Sequence, residues 1–390
     1  MQPNQQQIPH LIDALKKSFS TNQTVSKTIN HIFKQNTVWT EPEKETFVDT
    51  LNGIIRYWRF LWYILDEKPT LTTSKLLNLI TLYTTLQKQQ LTQPYLRRYH
   101  QATHNRVLRE SIPDWFDTIG TTTYGSRWEN LLHALNQPAP LVLRTNTLKT
   151  TKDTLSQLLK QENIHTTPLD IAPDTLILSK KTNIFKTPSF KQGFFEIQDI
   201  ASQMVSIILD PHPGMRVVDA CAGEGGKTLH LAALMHNKGK IIALDTQAWK
   251  LTELRRRATR AGADNIETKT ITTTKDIKRL HNTADRLLLD VPCSGTGTLR
   301  KNPMLKWTIQ PEDLRRLIQL QQTILAHYSP LLKTQGILVY SVCSIIPDEC
   351  EQQIVQFLKK NPTYALIAEH RYYPDTHNTD GFYIAKLKKN

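Results

Sequence analysis

An acid and two thiols in the carboxyl-terminal half of the chain stand where chemistry could occur. Asp290 and Cys293 lie at and just after the end of a short apolar run, Arg286 to Val291, which predicts a buried strand, and the proline and glycines around Cys293 indicate a loop. Cys343 ends the next predicted strand. Because open α/β sheets bind ligands beyond the carboxyl ends of their strands, these side chains predict a site with a nucleophile and a polar partner.

A glycine-rich segment, Asp219 to Thr228, lies between a predicted strand and a predicted helix and could hold a nucleotide-like ligand on its backbone amides. It does not fit the phosphate-binding pattern GxxxxGK[ST], whose first glycine is Cys221 here, nor the dinucleotide pattern GxGxxG, whose third glycine is Thr228. An acid followed by glycines fits a loop that passes under the amino-acid part of S-adenosylmethionine. Asp245, at the tip of the next predicted strand, is placed to accept hydrogen bonds from the ribose of any nucleoside cofactor.

The composition predicts a soluble protein of two or three domains with a polyanionic partner. The chain has 390 residues, 39% of them hydrophobic, and a formal net charge of +14 that is dispersed along its length, which favours RNA or DNA as partner. Its four cysteines, Cys221, Cys293, Cys343 and Cys350, form no CxxC pair, so neither a zinc site nor a disulfide framework is expected. Without an apolar run of membrane-spanning length or a signal-peptide core, we expect a cytoplasmic monomer with no metal and no membrane contact.

The first hundred residues are predicted to form a helical bundle. Apolar residues recur at helical spacing in segments that begin at Ile8, Val25, Glu41 and Leu71, and the third helix is predicted to continue to Leu61. A connector with one or two short helices follows as far as residue 140. These segments carry few residue types that perform catalysis.

From residue 138 the pattern changes to strands and helices in alternation. A small α/β unit is predicted from a strand at 141–146, a helix at 152–161 and a strand at 175–178, and a helix over 200–209 follows it. Beyond Met215 strands and helices alternate strictly, which predicts a doubly wound parallel sheet. The predicted domains are therefore 1–137, 138–200 and 201–390, and the predicted strands of the last are 216–220, 240–245, 266–271, 286–291, 336–343 and 381–387.

Two cysteine motifs resemble a known family. Asp290-Val-Pro-Cys-Ser-Gly-Thr-Gly, together with Tyr340-Ser-Val-Cys-Ser, resembles the RNA cytosine-5 methyltransferases of the Sun/RsmB and NSUN type. The loop Asp219-Ala-Cys-Ala-Gly-Glu-Gly-Gly-Lys-Thr is similar to the cofactor loop of that family, and Phe47 to Arg56 resembles the NusB-like RNA-binding domain of its bacterial ribosomal-RNA members. Further similar motifs are Arg144-Thr-Asn-Thr, Gln198 to Gln203 and Asp380 to Lys386.

The resemblance covers most of the chain and implies a fold and a set of site residues. It implies a Rossmann-like S-adenosylmethionine methyltransferase sheet, an all-α NusB-like amino-terminal domain and a small α/β linker subdomain. Cys343 would attack the cytosine, Cys293 would assist product release, and Asp290 would contact the N3/N4 edge of the base. The cofactor would lie against Asp219, Cys221, Ala222, Gly223, Glu224, Gly225, Gly226, Lys227, Asp245 and Asp290, and Arg300, Lys301 and Lys306 would contact RNA phosphates.

The residues themselves leave the choice of nucleophile open, because Cys293 lies in a Pro-Cys pair of the kind that DNA cytosine methyltransferases use. Two positions depart from the family pattern: Gly223-Glu224 replaces the usual Ala-Pro, and the third strand ends in threonines, with Asp276 several residues late. These departures motivate an alternative, a non-catalytic RNA-binding assembly factor with a degraded cofactor site. The expected function is cytosine-5 methylation of RNA, of 16S ribosomal RNA first and of transfer RNA as the alternative.

Overall fold

The computed structural model of the protein describes residues 2–21, 23–169, 171–180 and 182–390. Contacts divide it into two compact units, Met1–Gln137 with Leu299–Ile309, and Pro138–Thr298 with Gln310–Asn390. The return of residues 299–309 to the first unit was not predicted from the sequence. The division into three domains stays a prediction, because residues 138–200 and the larger sheet belong to one unit. Across the described residues, no helix is both long and apolar enough to cross a membrane.

The first unit is helical, as its apolar spacing predicts. Its interior is formed by side chains such as Leu11, Phe47, Leu51 and Trp62, which are at most 1% exposed. Its helices up to residue 137 are α1 (Ile8–Ser20), α2 (Val25–Gln35), α3 (Glu41–Arg56), α4 (Trp58–Leu65), α5 (Thr73–Gln87), α6 (Tyr95–Thr103), α7 (Arg106–Arg109), α8 (Asp114–Tyr124) and α9 (Trp128–Leu135).

The prediction of one helix from Glu41 to Leu61 was wrong, because the chain breaks between α3 and α4. Backbone groups at the break bond to partners far away in the sequence. The carbonyl of Ile55 accepts from the Trp307 indole at 2.7 Å, and the Arg59 amide donates to the Ser111 hydroxyl at 2.9 Å. Periodicity cannot reveal such partners, since the apolar face continues through the break.

The second unit begins with a four-stranded antiparallel sheet of order β2-β3-β1-β4. Leu143, Leu155, Leu176 and Phe195 form its core with the helix α10. The predicted helix 152–161 and strand 175–178 have the bounds that the structure shows. The elements are β1 (Val142–Thr145), α10 (Lys152–Gln161), β2 (Thr166–Pro168), β3 (Thr175–Leu178), α11 (Pro188–Lys191) and β4 (Phe195–Ile197).

A seven-stranded sheet of order β10-β11-β9-β8-β5-β6-β7 follows. Strands β5 to β9 are parallel, and β11 pairs antiparallel with β9 and β10. The elements are α12 (Ile200–Leu209), β5 (Arg216–Asp219), α13 (Gly226–Leu234), β6 (Lys240–Asp245), α14 (Ala248–Ala261), β7 (Ile266–Thr270), α15 (Thr274–Lys278), β8 (Ala284–Asp290), α16 (Leu305–Thr308, in the first unit), α17 (Pro311–Tyr328), β9 (Leu332–Val342), α18 (Glu351–Lys360), β10 (Tyr364–Tyr372), α19 (Pro374–His377) and β11 (Phe382–Lys389).

This sheet confirms the predicted Rossmann-like architecture, with three corrections. The predicted sheet was parallel, whereas β11 pairs antiparallel with both of its neighbours. The predicted sheet lacked the edge strand β10 and the helix α18 that precedes it. In the edge strand Leu366 is 39% exposed and Ile367 is 50% exposed. Because these apolar neighbours are both exposed, the sequence lacks the alternation of apolar and polar residues that marks a strand with one buried face. The central order places β8 between β9 and β5, which brings the ends of all three strands to one edge of the sheet.

Candidate active site

Two adjacent parallel strands bring Cys293 and Cys343 together. In the register of β8 and β9, Asp290 pairs with Ser341, so the loops after both strands start at the same edge. The two Sγ atoms are 3.3 Å apart, within hydrogen-bonding distance for sulfur. The hydrogen bond with Cys343, followed by burial, raises the pKa of Cys293 well above its usual range. Cys293 therefore keeps its proton at neutral pH.

Asp290 is held from both sides at the end of β8. Its Oδ2 accepts a hydrogen bond from Lys227 Nζ at 2.6 Å, and its Oδ1 accepts one from the Ser341 hydroxyl at 2.7 Å. Burial lowers the pKa of Lys227, but the charge of Asp290 and the hydrogen bond to it outweigh burial and leave that pKa raised. Interaction with Cys343 acts in the same direction. The site thus contains a fixed ion pair beside two thiols.

The glycine loop connects β5 to α13 and carries Lys227 in the first turn of the helix. Gly225 has a φ of +89°, and a Cβ there would lie 2.5 Å from Leu254, so only glycine fits. At Gly223 and Gly226, by contrast, an added Cβ would meet no heavy atom within 4 Å. The Gly223 amide donates to Asp245 Oδ2 at 3.0 Å, which ties the loop to the tip of β6.

Asp219 is buried beneath this loop, with only 1% of the residue exposed. Its Oδ2 accepts a hydrogen bond from the Thr228 hydroxyl at 2.7 Å, whereas its Oδ1 has no hydrogen-bond partner of good geometry among the described residues. Burial raises the pKa of Asp219 to about 7. A buried acceptor that lacks a donor is a place where a ligand with a positive or hydrogen-bonding group gains stability.

These residues fit S-adenosylmethionine. The open backbone at Gly223 and Gly226 leaves room for a ligand, and the buried Asp219 oxygen suits a cationic amino group. Asp245 is partly exposed and accepts two backbone hydrogen bonds, so its remaining lone pairs can accept from ribose hydroxyls. The predicted cofactor residues therefore lie together, with Cys221 and Ala222 in the same loop.

The two departures from the family pattern lie in different surroundings. The Glu224 residue is exposed, and its carbonyl accepts a hydrogen bond from Arg257 at 2.9 Å, which holds the backbone of the loop. Asp276 does not supply the missing acid at the end of β7. Its carboxylate accepts hydrogen bonds from the backbone amides and hydroxyls of Thr272 and Thr273, where it caps α15.

The three predicted RNA contacts have different surroundings. Lys301 is exposed, whereas Arg300 and Lys306 are 8% and 3% exposed inside the first unit. Lys306 Nζ donates to Asn136 Oδ1 at 2.6 Å and to three backbone carbonyls, including that of Glu110 at 2.9 Å. Lys306 is therefore not placed to contact phosphate, because its ammonium is enclosed and already bonded.

Several polar residues that support the site had been assigned no role in it from the sequence. Ser341 holds Asp290, and the buried Arg144 donates to the carbonyl of Gly226 at 2.8 Å and to Gln198. Burial lowers the pKa of Arg144 to about 10. A fully buried acid, Glu349, bonds to the serines that follow the two cysteines. The signal for Ser341 and Arg144 was a polar residue within an otherwise apolar strand; Glu349 gave no signal.

Cys221 and Cys350 pack against the core of the sheet. Cys350 is fully buried in the larger core of the sheet, and Cys221 packs against the same core. Burial raises the pKa of each thiol far above the ordinary value. Within the residues that the structure describes, no group of three or more histidine, cysteine or acidic side chains could hold a metal ion.

Comparison with known proteins identifies the family. The sequence model of the 16S rRNA methyltransferase RsmB/F matches residues 206–388, and that of the RsmF/B-like ferredoxin-like domain matches residues 112–185. A protein of Synechocystis sp. described as a probable ribosomal RNA small subunit methyltransferase B is 37% identical over 298 residues, which are 72% of this chain and 67% of that protein. This chain belongs to the RsmB/F family. Membership confirms the family that the cysteine motifs resembled.

Solved structures share the fold of this RsmB/F family member. A methyltransferase homolog from Pyrococcus horikoshii is 30% identical, with a TM-score of 0.66 over 73% of this chain and 98% of that one. The structure of PH0851 has a TM-score of 0.82 over the whole of both chains at 24% identity, a likeness of fold. The family's ferredoxin-like model starts at residue 112 and so includes α8 and α9, which the contacts assign to the helical unit.

Proposed function

We propose that this protein methylates C5 of a cytosine in small-subunit ribosomal RNA, through a covalent bond between Cys343 and C6 of the base. Membership of the RsmB/F family supports S-adenosylmethionine-dependent RNA methylation, and its relatives are described as ribosomal RNA small subunit methyltransferases. The observation that carries the cytosine chemistry is the pair of thiols 3.3 Å apart beside the Asp290–Lys227 ion pair.

Cytosine C5 is a weak nucleophile, so the reaction needs a sulfur nucleophile at C6. Attack by a thiolate forms the S–C6 bond and moves the π electrons of C5=C6 onto C5. S-adenosylmethionine, when bound, supplies a sulfonium methyl group that such a carbon accepts. Loss of the C5 proton to a base and cleavage of the S–C6 bond then restore the aromatic ring and the free thiolate.

The motif that contains Cys343 supports this residue as the nucleophile. Cys343 lies in Tyr340-Ser-Val-Cys-Ser, which resembles the family motif that carries the attacking cysteine. The two Sγ atoms are 3.3 Å apart, so Cys293 can donate a proton to the sulfur that leaves at the end. We therefore assign attack to Cys343 and product release to Cys293.

In this proposal Asp290 binds the cytosine base and Lys227 compensates negative charge. A carboxylate accepts hydrogen bonds, so Asp290 can bind the N4 amino group of cytosine while Ser341 and Lys227 fix its two oxygens. The ammonium of Lys227 offsets negative charge that develops beside Cys343. A target cytosine in duplex RNA must leave its stack to reach such a site.

The test is methylation of ribosomal RNA by the purified protein and its cysteine variants. We expect bisulfite sequencing to locate one or more new 5-methylcytosines in 16S RNA, with none formed by Cys343→Ala. Cys293→Ala should accumulate a denaturant-stable RNA–protein adduct. An adduct that persists in Cys343→Ala and is absent from Cys293→Ala would reverse the two roles.

Two further measurements separate the alternatives. Bisulfite sequencing of transfer RNA and ribosomal RNA from a deletion strain reports which of the two loses a methyl group. Calorimetric titration with S-adenosylmethionine distinguishes an enzyme from a non-catalytic assembly factor, since a degraded cofactor site would show no binding.

A further inference from the structure

Glu349 is a fully buried carboxylate that follows β9, in the short turn Pro347–Glu349. Its Oε1 accepts hydrogen bonds from the Ser294 amide at 2.8 Å and from Gln321 Nε2 at 3.0 Å. Its Oε2 accepts from the hydroxyls of Ser294 at 2.5 Å and Ser344 at 2.6 Å. All four donors are neutral, so hydrogen bonds alone compensate for removing this carboxylate from water.

The partners of Glu349 are the neighbours of the two reactive thiols. Ser294 directly follows Cys293, and Ser344 directly follows Cys343. Both serines are 1% exposed, and their hydroxyls lie 3.3 Å apart. One carboxylate therefore joins the loop after β8 to the loop after β9, one residue beyond each cysteine.

Further hydrogen bonds hold the loops after β8 and β9. Gln321 Nε2, which donates to Glu349, also donates to the carbonyl of Pro292 at 3.0 Å, so anchors lie on both sides of Cys293. The Gly297 amide donates to the carbonyl of Cys343 at 3.0 Å. Partners of Glu349 thus hold the chain on both sides of Cys293. On the Cys343 side, Glu349 holds Ser344, and Gly297 separately holds the Cys343 carbonyl.

We infer that Glu349 is a positioning residue that sets the spacing of the two cysteine sulfurs. This inference rests on the proposed function, in which one sulfur attacks and the other assists release, so both must keep their places through one turnover. Reacting groups displaced by about 1 Å can lose on the order of 10²-fold in rate. The glycine loop is outside the Glu349 contacts, so cofactor binding should not depend on this residue.

Glutamine and alanine at position 349 separate positioning from charge. In Glu349→Gln the amide oxygen can accept from the two N–H donors, and the amide NH₂ can donate to the two serine hydroxyls, which rotate to accept. We expect Glu349→Gln to keep kcat within about tenfold and Glu349→Ala to lose about 100-fold, with the KM for S-adenosylmethionine unchanged in both. Asp348, the exposed neighbouring acid, supplies the matched controls Asp348→Asn and Asp348→Ala, for which we expect kcat close to that of the unaltered protein.

A chemical measurement of sulfur spacing makes the test independent of methyl transfer. Diamide oxidises two neighbouring thiols to a disulfide and is itself reduced to the hydrazine, and peptide mass spectrometry reports the rate at which Cys293 and Cys343 become linked. We expect the rate to fall at least tenfold in Glu349→Ala and to be retained in Glu349→Gln. If alanine at 349 prevents folding, Ser344→Ala, which removes one of the four hydrogen bonds, should slow disulfide formation in the same direction by a smaller factor.

The outcomes are distinguishable from failure of the proposed function. Disulfide formation that is equally fast in a folded Glu349→Ala protein, or in Ser344→Ala where only that variant folds, would overturn the positioning role even if the protein methylates RNA. Equal loss of kcat in Glu349→Gln and Glu349→Ala, with unchanged disulfide rates, would overturn it as well. Absence of methyl transfer by the unaltered protein would overturn the proposed function and leave the disulfide measurement to decide the role of Glu349.

Discussion

Lys227 and Lys306 are both enclosed by protein, yet their surroundings act on their charge in opposite directions. Lys227 faces the Asp290 carboxylate at 2.6 Å, and that anion outweighs burial and raises its pKa. Lys306 faces three carbonyls and an amide oxygen, and burial, assisted by the charge of Arg56, lowers its pKa well below the usual value. The partner, and not the depth of burial, decides whether the ammonium stays charged.

The different partners of Lys227 and Lys306 indicate different roles for the two lysines. The Asp290 carboxylate keeps the Lys227 ammonium positively charged in the candidate site, where the proposed reaction develops negative charge. Lys306 instead satisfies backbone acceptors from Arg56, Glu110 and Ser111 in the helical unit. Both lysines were assigned to ligands from the sequence, and only their neighbours in space distinguish them.

The largest effect should come from removing the charge of Lys227. In Lys227→Met the Asp290 carboxylate loses its counter-ion and the site loses its cation, so we expect kcat to fall about 10²–10³-fold. Single-turnover methylation assays measure this. Lys227→Arg keeps a cation and should recover part of the rate; a Lys227→Met enzyme with full activity would place the functional charge elsewhere.

Removal of the Lys306 ammonium should affect stability. Lys306→Ala leaves three carbonyls and the Asn136 amide oxygen without their donor and removes buried methylenes, so we expect the free energy of unfolding to fall by about 2–4 kcal/mol. Urea unfolding measures it. Strong loss of RNA affinity at unchanged stability would contradict the structural role.

Burial also acts on the charge of an acid, Asp219. Asp219 has a folded pKa of about 7 against an ordinary value of 3.8, so its protonated form is favoured by folding. This contribution is complete below pH 4 and is lost as pH rises towards about 7. We expect the unaltered protein to lose about 3–4 kcal/mol over that interval relative to Asp219→Asn. Urea unfolding of both proteins at several pH values tests it, and parallel pH profiles would contradict the shifted pKa.

The smallest effect should come from exposed Lys301, the matched surface control for Lys306. If it contacts RNA phosphate, Lys301→Ala should weaken RNA binding by about two- to fivefold and reduce the slope of log affinity against log salt by about 1, with stability changed by less than about 0.5 kcal/mol. Fluorescence anisotropy at several salt concentrations measures this. An unchanged salt slope would remove Lys301 from the RNA contacts.

The parts of the fold that could be predicted are those with local causes. The helices 152–161 and 200–209 and the strand 240–245 were predicted with the bounds that the structure shows, because periodicity and terminal residues define them. The break after Arg56 and the edge strand β10 were missed. Hydrogen-bond partners far away in the sequence hold the backbone at the break, and exposed apolar residues hide the pattern of the edge strand.

The residues of the candidate site also divide into those with local causes, which could be predicted, and those that depend on distant partners. Asp290, Cys293 and Cys343 were found because their residue types follow strands that a parallel sheet must align. Glu349 was missed because an acid after a proline resembles a helix start, and burial depends on side chains from three separated segments. The assignment of Lys306 failed for a related reason, since its acceptors come from α3 and from residues 110, 111 and 136.

The segment 299–309 is synthesised long after the rest of the helical unit to which it belongs. Lys306 donates to the Arg56 carbonyl, 250 positions earlier in the chain. The first helices of the helical unit are therefore synthesised long before the residue that completes their hydrogen bonds. A chain arrested before residue 299 would contain α1 to α9 of the helical unit but would lack Lys306, the donor to the Arg56 carbonyl. The helical unit begins first and is completed late, so a stop codon before residue 309 would leave both units incomplete.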